Sequence, residues 1–129
     1  MPIRRLALAA LLALPLAACG GGSSDSGGQA DAPGEQEYRR YACQSCHSLD
    51  GSERTGPTFQ GLADSTVTLE GGKQVKADAA YLERAITDPD AEVVEGYDPG
   101  LMQAGIDGFD LESRPEEVRR LVEFIQASK

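Results

Sequence analysis

The sequence predicts a small all-α domain with one short β-hairpin inserted into it. Three observations predict this fold: apolar residues recur at helical spacing in three stretches, β-branched residues flank a Gly-Gly pair, and the remaining segments are rich in Gly and Pro. The chain has 129 residues and is 5% aromatic, so it has few large side chains with which to build a core. Its long loops are therefore expected to need a bound group or a cross-link around which to fold.

The start of the chain has the pattern of an export signal. Two arginines precede an apolar stretch, residues 6–16, which is too short to span a bilayer. The letters "LAAC", residues 16–19, resemble the lipobox of bacterial lipoproteins, which implies that residues 1–18 are a signal peptide and that Cys19 carries lipid. The glycine after Cys19 is compatible with sorting to the outer membrane. A secreted soluble protein with a spare thiol is the alternative.

Residues 19–33 are predicted to comprise the lipidated Cys19 and, after it, a flexible tether over residues 20–33. Gly, Ser and Asp dominate this segment, and such a composition cannot form a packed core. The folded domain is therefore expected over residues 34–129. The lipobox resemblance implies that it lies on the periplasmic side of a bacterial membrane, attached through lipid, and the tether either lets it search the nearby space or serves as a plain spacer.

The first half of the domain predicts a helix and then the hairpin. Residues 34 to about 46 place Tyr38, Tyr41 and Ala42 on one helical face. A hairpin is predicted over residues 66–78, where a β-branched run leads into a Gly-Gly turn and a short strand returns.

A second helix is predicted between Asp78, as its N-cap, and Pro89, which ends it. Its apolar face consists of Tyr81, Leu82, Ala85 and Ile86. The Gly- and Pro-rich segment that follows, residues 92–109, predicts a loop.

The last helix is predicted from about Pro115 to Ala127. Ser113 and Glu116 fit a capping box at its start. Its apolar stripe consists of Val118, Leu121, Val122 and Ile125.

The stretch "CQSCH", residues 43–47, carries the chemistry of the sequence. A structural zinc site needs about four ligands, and no second Cys/His cluster completes one here. A thioredoxin-like disulfide begins a helix after a strand, whereas this stretch lies at the end of a predicted helix, with no parallel-sheet pattern around it. Heme attachment is the favoured interpretation, because Cys43 and Cys46 on one turn can reach two vinyl groups of a porphyrin while His47 ligates the iron. One such stretch predicts one covalent heme c.

Met102 is the predicted ligand on the other side of the iron. It is the only methionine left after cleavage, no second histidine exists, and its predicted loop would let the thioether approach the ring. The alternative is a methionine that fills a gap in the core. Histidine with methionine raises the reduction potential of heme and suits electron transfer.

These residues resemble a class I cytochrome c over about residues 34–128. "GEQEY", "CQSCH", "GPTF" and the late methionine follow the order of that family. The resemblance implies about four to five helices around one heme, with the Pro57 carbonyl accepting a hydrogen bond from the ligand His47. The alternative for the Gly-Pro pair is a plain turn.

The sequence is most similar to the cytochrome c domain that is fused to subunit II of some heme-copper oxidases. "CQSCHSLDGSERTGPTFQGL", "VTLEGGKQVKADAAYLERAITDPDAEVVEGY" and Met102 carry this similarity. The sequence departs from the fused form because it has no copper-binding domain and no transmembrane helix, and because Gln follows Met102 where proline is common.

The sequence therefore predicts an electron-transfer protein and no enzyme. Its net charge of −9 disfavours nucleic acid as a partner. The carboxylates, including those of Glu35, Glu37, Glu92 and Glu95, are interpreted as a solvated surface, without a catalytic acid–base pair. The resemblance implies a redox partner such as a quinol–cytochrome c oxidoreductase, a dehydrogenase, another cytochrome or a terminal oxidase. The alternatives are a heme sensor with a displaceable sixth ligand and an electron-entry subunit of a larger complex.

Overall fold

The computed structural model describes residues 32–129. Within this range there are four α-helices and one two-stranded antiparallel sheet. In chain order the elements are α1 (Glu35–Arg40), β1 (Thr66–Thr68), β2 (Gln74–Lys76), α2 (Ala79–Thr87), α3 (Leu101–Ile106) and α4 (Pro115–Ala127). The predicted signal peptide, Cys19 and most of the predicted tether lie outside the described residues. No helix between residues 32 and 129 has the length and apolar character of a membrane span.

Helices α1 and α4 cross closely at the start of α1. Gly34 is buried there with φ +86°, and a Cβ atom on it would lie 2.0 Å from the carbonyl oxygen of Arg120. The Arg120 Nε also donates a hydrogen bond of 2.8 Å to Oε1 of Glu37. The prediction that Glu37 belongs to the solvated surface is therefore wrong: its exposed fraction is 4%, because it lies inside the crossing and is paired with an arginine.

Helix α1 is shorter than predicted. It ends at Arg40, and Ala42 then takes a left-handed conformation with φ +53°. Tyr38 and Tyr41 are buried as their spacing predicts, whereas Ala42 is exposed. The predicted single helix to residue 46 is thus wrong at its end, because the left-handed residue turns the chain out of the helix.

The predicted hairpin is confirmed, with Val67 opposite Val75 in its register. Its first strand is also joined to a later segment, residues 93–95. The Leu69–Val94 bridge is antiparallel, and the amide of Glu95 donates to the carbonyl of Thr68 at 2.9 Å. The hairpin therefore fixes the chain that follows α2 as well as its own two strands.

Helices α2 and α4 are confirmed and pack against each other. The Asp78 carboxylate caps α2 by accepting a hydrogen bond of 2.8 Å from the amide of Tyr81. The predicted capping box of α4 is wrong. Its N-cap is Arg114, without a side-chain cap, because Ser113 belongs to a preceding 3-10 turn and Pro115 opens the helix.

The hydrophobic core lies between the helices and the hairpin, and aromatic rings join its parts. The ring of Tyr38 lies 5.8 Å from that of Phe59 and 5.1 Å from that of Phe124, measured between centroids. Phe124 was not part of the predicted stripe of α4, but it is buried against α1. The buried apolar residues are Tyr38, Tyr41, Phe59, Val67, Leu69, Ala77, Tyr81, Leu82, Ile86, Leu111, Val118, Leu121, Val122, Phe124 and Ile125.

Candidate functional site

One large cleft contains every predicted site residue that the structure describes. Cys43, Cys46, His47, Pro57 and Met102 all line it, together with mainly apolar side chains from α2 and from the segment after it. Its empty space, including the part that opens to solvent, is about 1280 Å³. The predicted lipid site at Cys19 lies outside the described residues.

The cysteine wall of the cleft is a tight turn that follows α1. The left-handed Ala42 leads into a single 3-10 turn, Cys43–Ser45. The amides of Cys46 and His47 both donate to the carbonyl of Cys43, at 3.1 and 2.9 Å. This turn places two half-buried, unbridged thiols on one side of the cleft. Burial raises the pKa of the Cys43 thiol to about 11, so that it stays protonated at neutral pH.

The imidazole of His47 is held on three sides. Its Nδ1 lies 2.7 Å from the carbonyl oxygen of Pro57, and its ring stacks on that of Phe59 with centroids 4.5 Å apart. On another side, a Cβ atom on Gly56 would lie 2.6 Å from Cε1, so only glycine leaves room for the ring. The backbone carbonyl of His47 accepts a hydrogen bond of 2.9 Å from the Tyr38 hydroxyl.

This arrangement fixes the tautomer of His47. A carbonyl can only accept, so Nδ1 carries the hydrogen and Nε2 keeps its lone pair. Burial lowers the pKa of this imidazole, an effect that the bond to Pro57 opposes in part, and the neutral form is therefore favoured at neutral pH. Within residues 32–129, Nε2 makes no hydrogen bond. An oriented, neutral imidazole with a free lone pair is the form in which histidine binds a metal.

Met102 also lines the cleft and is half-buried. The prediction that it belongs to a loop is wrong, since it is the second residue of helix α3. Glycines at positions 100 and 105 concealed this helix in the sequence, because glycine is unfavourable inside helices and weakens the apolar periodicity. Gly100 begins the helix as a left-handed N-cap with φ +79°.

Two residues of the site had no predicted role. Phe59, which supplies the stacking face for His47, stands in the "GPTF" stretch, where the only signal was its place after the Gly-Pro pair. Gly56 was interpreted only as part of that pair, although its missing side chain makes room for the imidazole. Contacts of this kind join residues about ten positions apart in a loop, and no periodicity reveals them.

A hydrogen-bond network joins Tyr41, a residue of the cleft lining, to α4. The hydroxyl of Tyr41, a buried residue of the cleft wall, donates to the carboxylate of Glu117 on α4. Arg40 and Arg114 donate to the same carboxylate at 3.1 and 3.3 Å. The hydrogen bond from Tyr41 chiefly lowers the pKa of Glu117, partial desolvation opposes this, and the two arginines add to the lowering. The interpretation of the carboxylates as solvated surface therefore fails for Glu117 as well.

This network predicts a pH dependence of stability. The folded pKa of Glu117 lies below its ordinary value of 4.5, so its stabilising effect is present above that pH and is lost as the pH falls through the folded pKa. We expect Glu117→Gln to lower the melting temperature near neutral pH, and its difference from wild type to shrink as the pH falls below 4.5 and through the lowered folded pKa. Thermal unfolding followed by circular dichroism checks this.

The matched control is Glu116→Gln, which removes a carboxylate from the same helix and leaves the bond from Tyr41 intact. A Glu117→Gln profile that follows the control at every pH contradicts the prediction.

No protein-family model matches the chain, and a search of curated proteins finds no match. Within residues 32–129, no three His, Cys, Asp or Glu side chains converge to hold a bare metal ion.

Proposed function

We propose that this protein is a single-heme c-type cytochrome of class I fold that carries one electron at a time. Cys43 and Cys46 would hold the heme through thioethers, and His47 and Met102 would be the ligands of its iron. One observation carries the proposal: Pro57 holds Nδ1 of His47 at 2.7 Å and leaves Nε2 free on a residue that lines a large apolar cleft.

The donor set of the cleft fits a heme. The two thiols lie on one turn, the imidazole follows directly, and the thioether of Met102 lines the same cleft. The remaining lining is mostly apolar, including Val67, Leu82 and Ile86, as the flat face of a porphyrin requires.

Each residue of the site has its own role in holding the heme. Cys43 and Cys46 would each attach the heme through a thioether. Tyr38 and Pro57 keep the imidazole oriented, and the apolar walls exclude water. When bound, the heme would supply one-electron chemistry at its iron. Met102 would take the ligand position at which an external ligand could otherwise bind.

The proposed place of the protein is an extracytoplasmic respiratory chain of a bacterium, on the periplasmic side, with lipid on Cys19 as its membrane anchor. Its partners are redox proteins that donate or accept single electrons, such as a quinol–cytochrome c oxidoreductase, a dehydrogenase, a cytochrome or a terminal oxidase. The net charge of −9 favours encounters with basic surfaces, and such encounters weaken with salt.

A heme-based sensor is the second candidate, and helix α3 supports it. This helix has six residues and none of them is buried. Few packing contacts therefore hold Met102 in its position. A sixth ligand that leaves the iron easily would open the site to a small diatomic ligand. The two candidates share the same heme and differ in how firmly Met102 is bound.

Carbon monoxide distinguishes these two functions. We expect the reduced, heme-loaded protein to be low-spin and to ignore carbon monoxide, because the sulfur of Met102 blocks the sixth position. Met102→Ala removes that sulfur and should bind carbon monoxide readily, as an absorption spectrum with and without the gas will show. If the wild-type protein binds carbon monoxide readily, the sensor function is the better proposal and electron transfer is not.

A further inference from the structure

Helix α3, which carries Met102, has little support of its own. It is the one α-helix among residues 32–129 that contains no buried residue. It has six residues, and isolated helices shorter than about 12 residues are not stable in water. At its C-terminal end, Ile106 packs against the hydrophobic core, and its carbonyl accepts from the amide of Phe109 at 2.9 Å. The position of α3 therefore depends on what holds its other end.

The N-terminal end of α3 is held by Asp90. Oδ1 of Asp90 accepts a hydrogen bond of 2.8 Å from the amide of Gly100, the N-cap of the helix. Gly100 has a left-handed backbone, a conformation in which glycine has wide freedom and needs an external restraint to keep one position. Among the described residues, Asp90 has no other hydrogen bond or ion pair.

The carboxylate that provides this restraint is exposed, but its backbone is anchored beside a buried residue. Asp90 directly follows Pro89, which is buried, and Pro89 follows the end of α2, which packs on α4. The hydrogen bond thus ties the start of α3 to the packed helices across ten residues of irregular chain. A hydrogen bond to a charged acceptor is stronger than one between neutral groups.

We propose that Asp90 is a positioning residue for Met102. By fixing Gly100, two residues before the methionine, its carboxylate holds the first turn of α3 against the cleft and keeps the thioether sulfur in place as the sixth ligand. This inference rests on the proposed function, since it concerns the ligation of that heme. Asp90 and Met102 both line the cleft, so the restraint acts within the site itself.

Displacement of the sulfur by imidazole in the oxidised, heme-loaded protein tests the proposal. Asp90→Ala removes the acceptor, and we expect it to lower the half-saturating imidazole concentration about tenfold and to weaken the near-infrared band of thioether-ligated ferric heme. Asp90→Asn keeps an acceptor oxygen, so we expect a smaller change of about two- to threefold. Asp88→Ala, which removes an exposed carboxylate from the same segment, should leave the concentration unchanged.

The results separate this inference from the proposed function. A wild-type protein without the thioether band overturns both, because Met102 is then not the ligand. A wild-type band that Asp90→Ala leaves unchanged overturns only the role of Asp90. Equal effects of Asp90→Ala and Asp88→Ala also overturn that role, since they indicate a loss of charge and not of position.

A measurement on the wild-type protein keeps the proposal testable if Asp90→Ala does not fold. Hydrogen exchange of the Gly100 amide, followed by NMR in the reduced protein, should be at least about tenfold slower than in an unstructured peptide because its hydrogen is bonded to Asp90. Exchange at the rate of an unstructured peptide overturns the proposal.

Discussion

A protein with both Cys43→Ala and Cys46→Ala should lose all of its heme on extraction with acidified acetone, whereas the wild-type protein should lose none. The two thiols lie on one 3-10 turn, and the proposed thioethers are the only covalent links between the heme and the chain. Ligation by His47 does not survive acid, because the imidazole is then protonated. The measurement is the heme absorbance of the supernatant and of the pellet, from a host that attaches heme to exported proteins.

Three further variants serve as controls for the extraction. Either single cysteine variant keeps one thioether and should retain its heme in the pellet. Ser45→Ala is the control for the turn itself, because it removes only the hydroxyl that donates to the carbonyl of Ala42 at 2.7 Å. Heme that stays with the doubly substituted chain, or a wild-type protein that carries no covalent heme, would falsify the proposed function.

The largest expected loss of stability comes from Gly34→Ala at the crossing of α1 and α4. The new Cβ atom would lie 2.0 Å from the carbonyl oxygen of Arg120, a backbone atom that cannot move without displacing α4. Alanine is also unfavourable at φ +86°. Overpacking and a left-handed alanine together are expected to cost about 3 kcal/mol, or roughly 12–24 °C in melting temperature for a domain of this size.

Gly71→Ala separates the two contributions to that loss. Gly71 has φ +83° at the tip of the hairpin, where an added Cβ atom meets nothing within 4 Å. It therefore measures the backbone cost alone, which should be about 1 kcal/mol. Melting curves of both heme-loaded variants against wild type provide the comparison. Equal losses at Gly34 and Gly71 would show that the two helices are not in close contact.

The parts of the fold that sequence predicted correctly are those with a local chemical cause. Asp78 caps α2 because its short carboxylate can accept from an amide three residues later, and Pro115 opens α4 because its missing amide hydrogen costs nothing there. The hairpin follows from a Gly-Gly turn between β-branched residues. In each case a few neighbouring residues contain all of the necessary information.

The errors arose where distant residues or unusual backbone decided the structure. The end of α1 depends on a left-handed alanine, Ala42, and alanine carries no sequence signal for that conformation. Glu37 is buried because Arg120, 83 residues later, pairs with it. The capping box at Ser113 failed because that residue is already part of a 3-10 turn that ends at the start of α4.

In the candidate site, too, local features were predictable from the sequence and contacts between distant residues were not. The spacing of Cys43, Cys46 and His47 predicted which residues share one turn, and the resemblance to a cytochrome c implied the bond from His47 to Pro57 that the structure contains. The helix around Met102 was concealed by its glycines. The contact between Asp90 and Gly100 lies in irregular chain, where neither spacing nor composition indicates a partner.

The bridge between Leu69 and Val94 joins the wall of the cleft after α2 to the hairpin. That wall also contacts α4 through α2, and the imidazole wall is attached to α1 and through it to α4. Because both walls depend on α4, we expect them to open in one cooperative step, so that the amide hydrogens of the two walls exchange with similar protection.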